Sequence, residues 1–299
     1  MRAPYSYAAL QRVTRFKIAS SIEIGHHLLG TMFERVYRDT VTTKENYMSG
    51  LEGKKVIIIG GSAGIGLGVA KQAVAAGALV HIVSRNLDKL QKAAQEIDGD
   101  VEFSTLDASD SSAVKEFFDG CGPFDHLVCT THDSSPTTMK GVFVPIEETD
   151  DQHCHTFMGS KYWVQFNCAK YAAKKISREG SITLTSGVAS KYFVKGHAMV
   201  AAVNAAVEAF ASMFAREIGP VRVNVVSPGL VKTGTLDALP GEERVRLLQH
   251  FEENLPVKSV AEPADLAKAY MYLMQSPYHS GDAIVVDGGY SPGLHANAH

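Results

Sequence analysis

The residues of this 299-residue chain whose types and spacing can do chemistry begin with a glycine-rich turn. Gly60-Gly61-Ser62-Ala63-Gly64-Ile65-Gly66 follows an apolar run and opens a helical pattern, with Gly60, Gly64 and Gly66 in the spacing Gly-x-x-x-Gly-x-Gly. Glycines at such a turn let the backbone approach a pyrophosphate, and the helix N-terminus attracts its charge. The next apolar run ends Val83-Ser84-Arg85-Asn86, with no carboxylate before Asp88. A carboxylate at this place would hold the ribose 2′-hydroxyl of NAD. A hydroxyl and a guanidinium suit a 2′-phosphate instead, so Ser84 and Arg85 favour NADP (as NADPH) over NAD. Leu106-Asp107-Ala108 ends the third run, where an adenine edge would lie, so Asp107 and Ala108 join the expected cofactor contacts.

Such a turn binds phosphate only where a strand delivers it to a helix. From Lys54 onward short apolar runs alternate with helical patterns. The runs 56–59, 79–83, 101–105, 126–129, 181–185, 221–226 and 283–286 read as strands. Helices are predicted over 65–76, 87–97, 111–118, about 151–176, 198–218 and 263–274, the last with Pro263 in its first turn. A loop with short helices spans 229–261. Strands that are apolar throughout and separated by helices imply a parallel sheet buried on both faces. The alternation is unbroken by linker or repeat, which predicts one doubly wound α/β domain over residues 48–299.

Composition narrows the class. Apolar residues make up 45% and charged residues 20%, which excludes a disordered chain. Gly (26) outnumbers Pro (11) without a Gly-X-Y period, which excludes collagen. A net charge of −3 gives no electrostatic case for nucleic acid, and no apolar run reaches a membrane span. Cys121, Cys129, Cys154 and Cys168 form no Cys-x-x-Cys pair and are expected as reduced thiols. His153-Cys154-His155 point in different directions on a helix, so no metal site is expected. A domain of about 250 residues leaves roughly 50 over. That surplus is residues 1–47, where Arg2, Arg12, Arg15 and Lys17 precede the first acid, Glu23, and Leu10, Val13, Phe16, Leu29 and Val36 recur at helical spacing. An amphipathic helical extension packing on the body or on a partner is expected there. A mitochondrial transit peptide is the alternative, and Met48 as the natural start is a third. The expected location is cytoplasmic, or mitochondrial if 1–47 is a transit peptide.

From about Leu51 to Ser291 the motifs together resemble the short-chain dehydrogenase/reductase superfamily. Phe124-Asp125-His126-Leu127-Val128 resembles the strand that ends beside the nicotinamide ribose. Ser181 to Gly187 resembles the strand that delivers the catalytic serine, here Ser186. Arg222 to Gly229 resembles the strand and Pro-Gly turn beside the nicotinamide. Glu262-Pro263-Ala264-Asp265 and Asp287-Gly288-Gly289 resemble the C-terminal signature. The resemblance implies a single Rossmann domain, a seven-stranded parallel sheet with helices on both faces, and homodimers or homotetramers assembled through the two long helices. It adds Thr130, Thr131, Asn204, Pro228, Gly229, Leu230 and Thr233 to the cofactor contacts.

The chain departs from that family at the chemistry. Where the family carries Tyr-x-x-x-Lys, this sequence reads Val200-Ala201-Ala202-Val203-Asn204, with Ala205-Ala206-Val207-Glu208 fixing the register. The customary Asn-Asn-Ala-Gly is Cys129-Thr130-Thr131-His132, and the helix asparagine has Met158 near its place with Lys161 one turn on. These departures resemble an atypical subgroup lacking the tyrosine and lysine. Asn204 keeps an amide for the ribose; Val200 cannot move a proton. Ser186 is then the expected orienting group, with Lys161 (as acid or electrostatic stabiliser), Tyr192 and the pair His132 and Asp133 as replacements, and His197 as a weaker one. Tyr192, Phe193, Val194, Leu230 and Leu236 suggest a small apolar substrate in a pocket lined by 187–197 and 229–261. An NADPH-dependent reductase with a relocated proton donor is the expected function. A non-redox isomerase, cyclase or nucleotide sensor of the same fold, or a scaffold built on the extension, is the alternative.

Overall fold

In the first strand, β1 (Lys55–Ile59), Val56 and Ile58 enter one buried cluster while Ile57 and Ile59 enter another. Successive side chains of a strand point to opposite faces, so an apolar run needs cover on both sides. The computed structural model, which describes residues 50–132, 135–192 and 195–290, supplies that cover with helices. The expectations for residues 1–47, Met48, Asp133, Phe193 and Val194 lie outside the described residues.

After β1 come α1 (Gly64–Ala75), β2 (Leu79–Ser84), α2 (Leu87–Glu96), β3 (Val101–Thr105), α3 (Ser111–Gly120) and β4 (Phe124–Cys129). The second half holds α4 (Pro136–Val142), α5 (Asp151–Met158), α6 (Val164–Ala172), β5 (Ile176–Thr185), α7 (Ala198–Glu217), β6 (Arg222–Pro228), α8 (Gly241–Asn254), α9 (Pro263–Gln275) and β7 (Ala283–Val286). The strands form one seven-stranded parallel sheet in the order β3-β2-β1-β4-β5-β6-β7. On one face Val114 and Phe118 of α3, Cys168 of α6 and Val207 of α7 pack against Ile57, Leu127 and Ile182. On the other, Val69 of α1, Leu90 of α2 and Leu266 and Tyr270 of α9 pack against Val56, Ile58 and Ile82. The strand order reverses between β1 and β4, which opens a crevice at their carboxyl ends.

Three elements differ from expectation. The helix predicted over 151–176 is interrupted by a widened π-turn at Gly159–Trp163, between α5 and α6. Gly159 at the head of that turn weakens the regular helix locally, and such turns re-aim the side chains that follow. The strand predicted from 181 begins at Ile176, because β5 pairs with β4 across a register shift between Phe124 and His126. The polar Arg178-Glu179-Gly180 stretch that looks like a turn is this irregularity within the strand. Helix α4 was not expected, although Ser135 caps it by accepting from the Thr138 amide and Pro136 occupies its first turn.

Helix α7 is long and apolar enough to cross a membrane by length and composition. Here Val203, Val207 and Ala211 are buried against the body of the domain. The buried Arg222 guanidinium donates to the carbonyls of Leu273 and Met274, in the last turn of α9, where no helical partner exists. Arg222→Met leaves both carbonyls without their charged donor. It is expected to lower stability by about 2–4 kcal/mol, read as a lower urea midpoint at constant m-value.

Candidate active site

The turn after β1 depends on missing side chains. Gly60 has φ +90°, and a Cβ on it would lie 2.7 Å from Thr130 Oγ1. A Cβ on Gly66 would lie 2.6 Å from the same oxygen and would strike the Gly60 carbonyl. Thr130, directly after β4, therefore packs into the glycine turn, and its amide donates to the Ile59 carbonyl at 3.0 Å. Ser62 Oγ bonds Ser84 Oγ at 2.9 Å, joining the turn to the end of β2. Arg85 is exposed at that end. The Ser109 hydroxyl and amide, and more weakly the Arg85 charge, hold the Asp107 carboxyl below its ordinary pKa. Ala108 beside it is buried, and Ile65 in the first turn of α1 is half-buried.

The opposite rim comes from the chain after β6. Gly229 follows Pro228 so closely against β7 that a Cβ would lie 2.8 Å from Asp287 Cα. Leu230 and Thr233 are half-buried, and Thr233 Cγ2 lies 3.3 Å from where a Cβ on Gly64 would stand. His132 Nε2 meets Thr235 Oγ1 at 3.1 Å, so the segments after β4 and β6 touch across the crevice. Leu236 is buried under this rim. Among the described residues six buried side-chain polar atoms have no hydrogen-bond partner, and Thr131 Oγ1 and Asn204 Oδ1 are two of them.

The π-turn brings Lys161 to the end of β5. Its side chain is buried, with the residue only 8% exposed, and Nζ donates to the Ser186 carbonyl at 2.8 Å. Burial pulls its pKa down to about 8, while the negative charge of Glu208 works in the opposite direction. One turn on, the Gln165 amide clasps the backbone of Thr185, donating to its carbonyl at 2.9 Å and accepting from its amide at 2.7 Å. The Thr185 hydroxyl donates to the Cys129 carbonyl at 2.6 Å and meets the Tyr270 hydroxyl at 2.7 Å. The strand end that carries Ser186 is thus held from α6, β4 and α9 together.

Ser186 itself is placed differently from expectation. The residue is 2% exposed, and its hydroxyl donates to Glu208 Oε1 at 2.7 Å. Its one proton is committed to a carboxylate, so it does not present a donor to a substrate carbonyl in this geometry. The bare α-carbon of Gly187 comes next, and a Cβ there would lie 3.0 Å from Asn204 Nδ2. Val200 and Asn204 are both buried on α7, one turn apart.

Tyr192 is half-buried after the short turn Val188–Ser190, and among the described residues no hydrogen bond joins it to Lys161 or Ser186. His197 Nδ1 donates to the Lys195 carbonyl of its own loop at 3.1 Å, and the ring packs edge-on against Phe143. The four cysteines are free thiols, and among the described residues no cluster of metal-ligating side chains occurs. Sequence reasoning missed two residues of this site, Gln165 and Glu208. Both were findable by helical spacing: Gln165 lies four residues after Lys161, and Glu208 four after Asn204.

Residues 60–291 match the family model described as Enoyl-(Acyl carrier protein) reductase. The chain is 32% identical over 257 residues to the short-chain dehydrogenase/reductase ucsE of Acremonium sp, across 80% of this chain and 96% of that one. Among solved structures it is similar to a small-chain dehydrogenase in complex with NADPH, with 31% identity and a TM-score of 0.67 over 82% of this chain and 100% of that one. It is also similar to the MalC Reductase/Diels-Alderase from Malbranchea aurantiaca, with 28% identity and a TM-score of 0.73 over 81% and 98%.

Proposed function

Since this chain belongs to the short-chain dehydrogenase/reductase superfamily, we propose that it is an NADPH-dependent oxidoreductase of an atypical subgroup without Tyr-x-x-x-Lys, and that Lys161 is its proton donor. Its substrate on this reading is a small apolar carbonyl compound, the corresponding alcohol, or an activated alkene. The observation that carries the reading is the buried Lys161 ammonium, held on the Ser186 carbonyl with a pKa near 8. A general acid works best with a pKa near the operating pH. One hydrogen bond to Ser186 uses one of three N–H donors, which leaves protons for an acceptor.

The cofactor half fits a dinucleotide. Gly60, Ser62, Gly64, Ile65 and Gly66 would cradle its pyrophosphate, on a turn packed so tightly against Thr130 that Gly60 and Gly66 leave no room for a Cβ. The unpartnered Thr131 Oγ1 and Asn204 Oδ1 offer acceptors for ribose hydroxyls or a carboxamide. Ser84 and Arg85 would hold the 2′-phosphate, Asp107 and Ala108 the adenine edge, and Thr130, Pro228, Gly229, Leu230 and Thr233 the nicotinamide end. When bound, the dinucleotide supplies a hydride. Lys161 supplies the proton to the substrate atom that gains negative charge, Leu236 and Val200 keep water from that atom, and Tyr192 walls the mouth.

Hydride transfer is tested by following NADPH absorbance across a panel of carbonyls and activated alkenes. Oxidation of a panel member supports the reading; tight NADPH binding with no oxidation contradicts it. The preference for NADPH has its own test. Arg85→Ala is expected to weaken NADPH binding by about 10–100-fold, the loss of one or two charge-assisted bonds, and to leave NADH binding within about twofold. Equal effects on both cofactors in a fluorescence titration would remove Arg85 from the 2′-phosphate site.

The similarity to the MalC Reductase/Diels-Alderase, together with Val200 in place of a proton-carrying group, supports a second reading, a cofactor-bound isomerase or cyclase. Restoring the pair with Val200→Tyr and Asn204→Lys separates the two. A native protein that already turns over NADPH faster than the restored one is a reductase. We further propose assembly as a homodimer or homotetramer through α5–α6 and α7 in the cytoplasm, or in mitochondria if residues 1–47 act as a transit peptide. The aromatic series Trp163, Phe166, Phe210 and Phe214, running from the end of the π-turn along α6 and α7 with Trp163 half exposed, supports the assembly.

A further inference from the structure

Glu208 gathers more of the active-site end of β5 than any residue placed there by the family resemblance. It lies on α7 two turns beyond Val200, with its side chain 15% exposed. Oε1 accepts from Ser186 Oγ at 2.7 Å and from Ser190 Oγ at 2.8 Å. Oε2 lies 3.8 Å from Lys191 Nζ. The turn from Ser186 to Lys191 is therefore fastened to one carboxylate at its beginning and at its end. Ser186 is gripped from two sides, by Glu208 through its hydroxyl and by Lys161 through its carbonyl. Gly187, between these anchors, borders Asn204.

A carboxylate this sheltered needs compensating donors or charge. Two serine hydroxyls supply the donors, and two cations supply the charge: Lys161 from the π-turn and Lys191 from the far side of the Val188–Ser190 turn. Lys191 is 36% exposed and partly solvated, whereas Lys161 is buried. The buried cation has the greater need of a counter-charge.

We propose that Glu208 is the positioning residue of this active site: it fixes the Ser186–Lys191 turn beside Asn204 and supplies the counter-charge that keeps the buried Lys161 protonated. The proposal rests on the reading of Lys161 as proton donor for its catalytic meaning, though not for its electrostatic one. A carboxylate that merely tied down a turn would do so equally well as an amide, since the Gln oxygen accepts the same serine bonds. The two roles therefore part company in Glu208→Gln.

The test is competitive amine labelling of the full-length protein with acetic anhydride over pH 6–11, with Lys161 modification read by peptide mass spectrometry. Removal of the opposing charge is expected to lower the Lys161 labelling midpoint by about one pH unit in E208Q, because burial then acts unopposed. Lys191→Met, a surface change, removes the competing cation and is expected to raise the midpoint. If E208Q does not unfold cooperatively, K191M carries the test. An unchanged midpoint in a folded E208Q, or in K191M when it stands alone, overturns the proposal. In NADPH turnover the same shift appears as a loss of rate at lower pH on the alkaline side in E208Q than in the native protein. Shifted labelling in a protein that oxidises no NADPH would sink Lys161 as donor and leave the electrostatic role of Glu208 standing.

Discussion

Lys161→Met should bind NADPH within about twofold of the native protein and reduce substrate about 10²–10⁴-fold more slowly, the usual effect of losing a positioned acid. Methionine matches the length and apolar stem of the lysine. It also removes a buried charge, so the desolvation penalty of that charge disappears along with the bond to the Ser186 carbonyl. The fold is therefore expected to survive, and a cooperative melt would establish it. The pH profile gives the sharper signature. A lysine donates only when protonated, and burial has brought its pKa down from 10.5 to about 8. Native activity should fall as pH rises through about 8. The residual activity of K161M should lack that step. A K161M protein as active as the native one would remove Lys161 from the chemistry, and Tyr192 would be the next group to replace.

Gly66→Ala should abolish dinucleotide binding, raising Kd for NADPH and NADH alike by at least about 100-fold. The added methyl would stand 2.6 Å from Thr130 Oγ1 and against the Gly60 carbonyl, which is fixed backbone and cannot yield like a flexible side chain. Relief requires moving either the β1–α1 turn or Thr130, and both belong to the proposed cradle. A misplacement of about 1 Å is enough to cost two orders of magnitude at a site that works by close approach. Isothermal titration with both cofactors, paired with a thermal melt, reads the outcome. Retained binding would place the dinucleotide elsewhere.

The parts legible in the sequence are those whose meaning is local. The glycine spacing, the apolar runs and the absence of a carboxylate after β2 each concern a few adjacent residues, and the strands and most helices follow from them. Ser186 shows where that locality ends. Its identity is plain, but its direction is decided by Glu208, a carboxylate 22 residues away on another element. Lys161 was a candidate because of its neighbourhood in the chain, while its burial depends on the π-turn that divides the predicted 151–176 helix. A helical pattern does not announce a turn that widens by one residue, so neither the lysine's direction nor the break was foreseen. Gln165 and Glu208 read as ordinary polar helix residues in the sequence; their roles follow only from the packing of both helices on one face of β5.

On the proposed reading, Lys161 would give the proton to a substrate for which bound NADPH would be the source of hydride. Stopped-flow measurement of NADPH absorbance in a single turnover, with saturating cofactor and an apolar carbonyl or activated-alkene panel, tests it most directly across pH 6–10. Oxidation of at least one panel member is expected, with a rate that falls above pH about 8 and a Lys161→Met variant without that fall. NADPH that binds tightly yet stays reduced against the whole panel at every pH would contradict it.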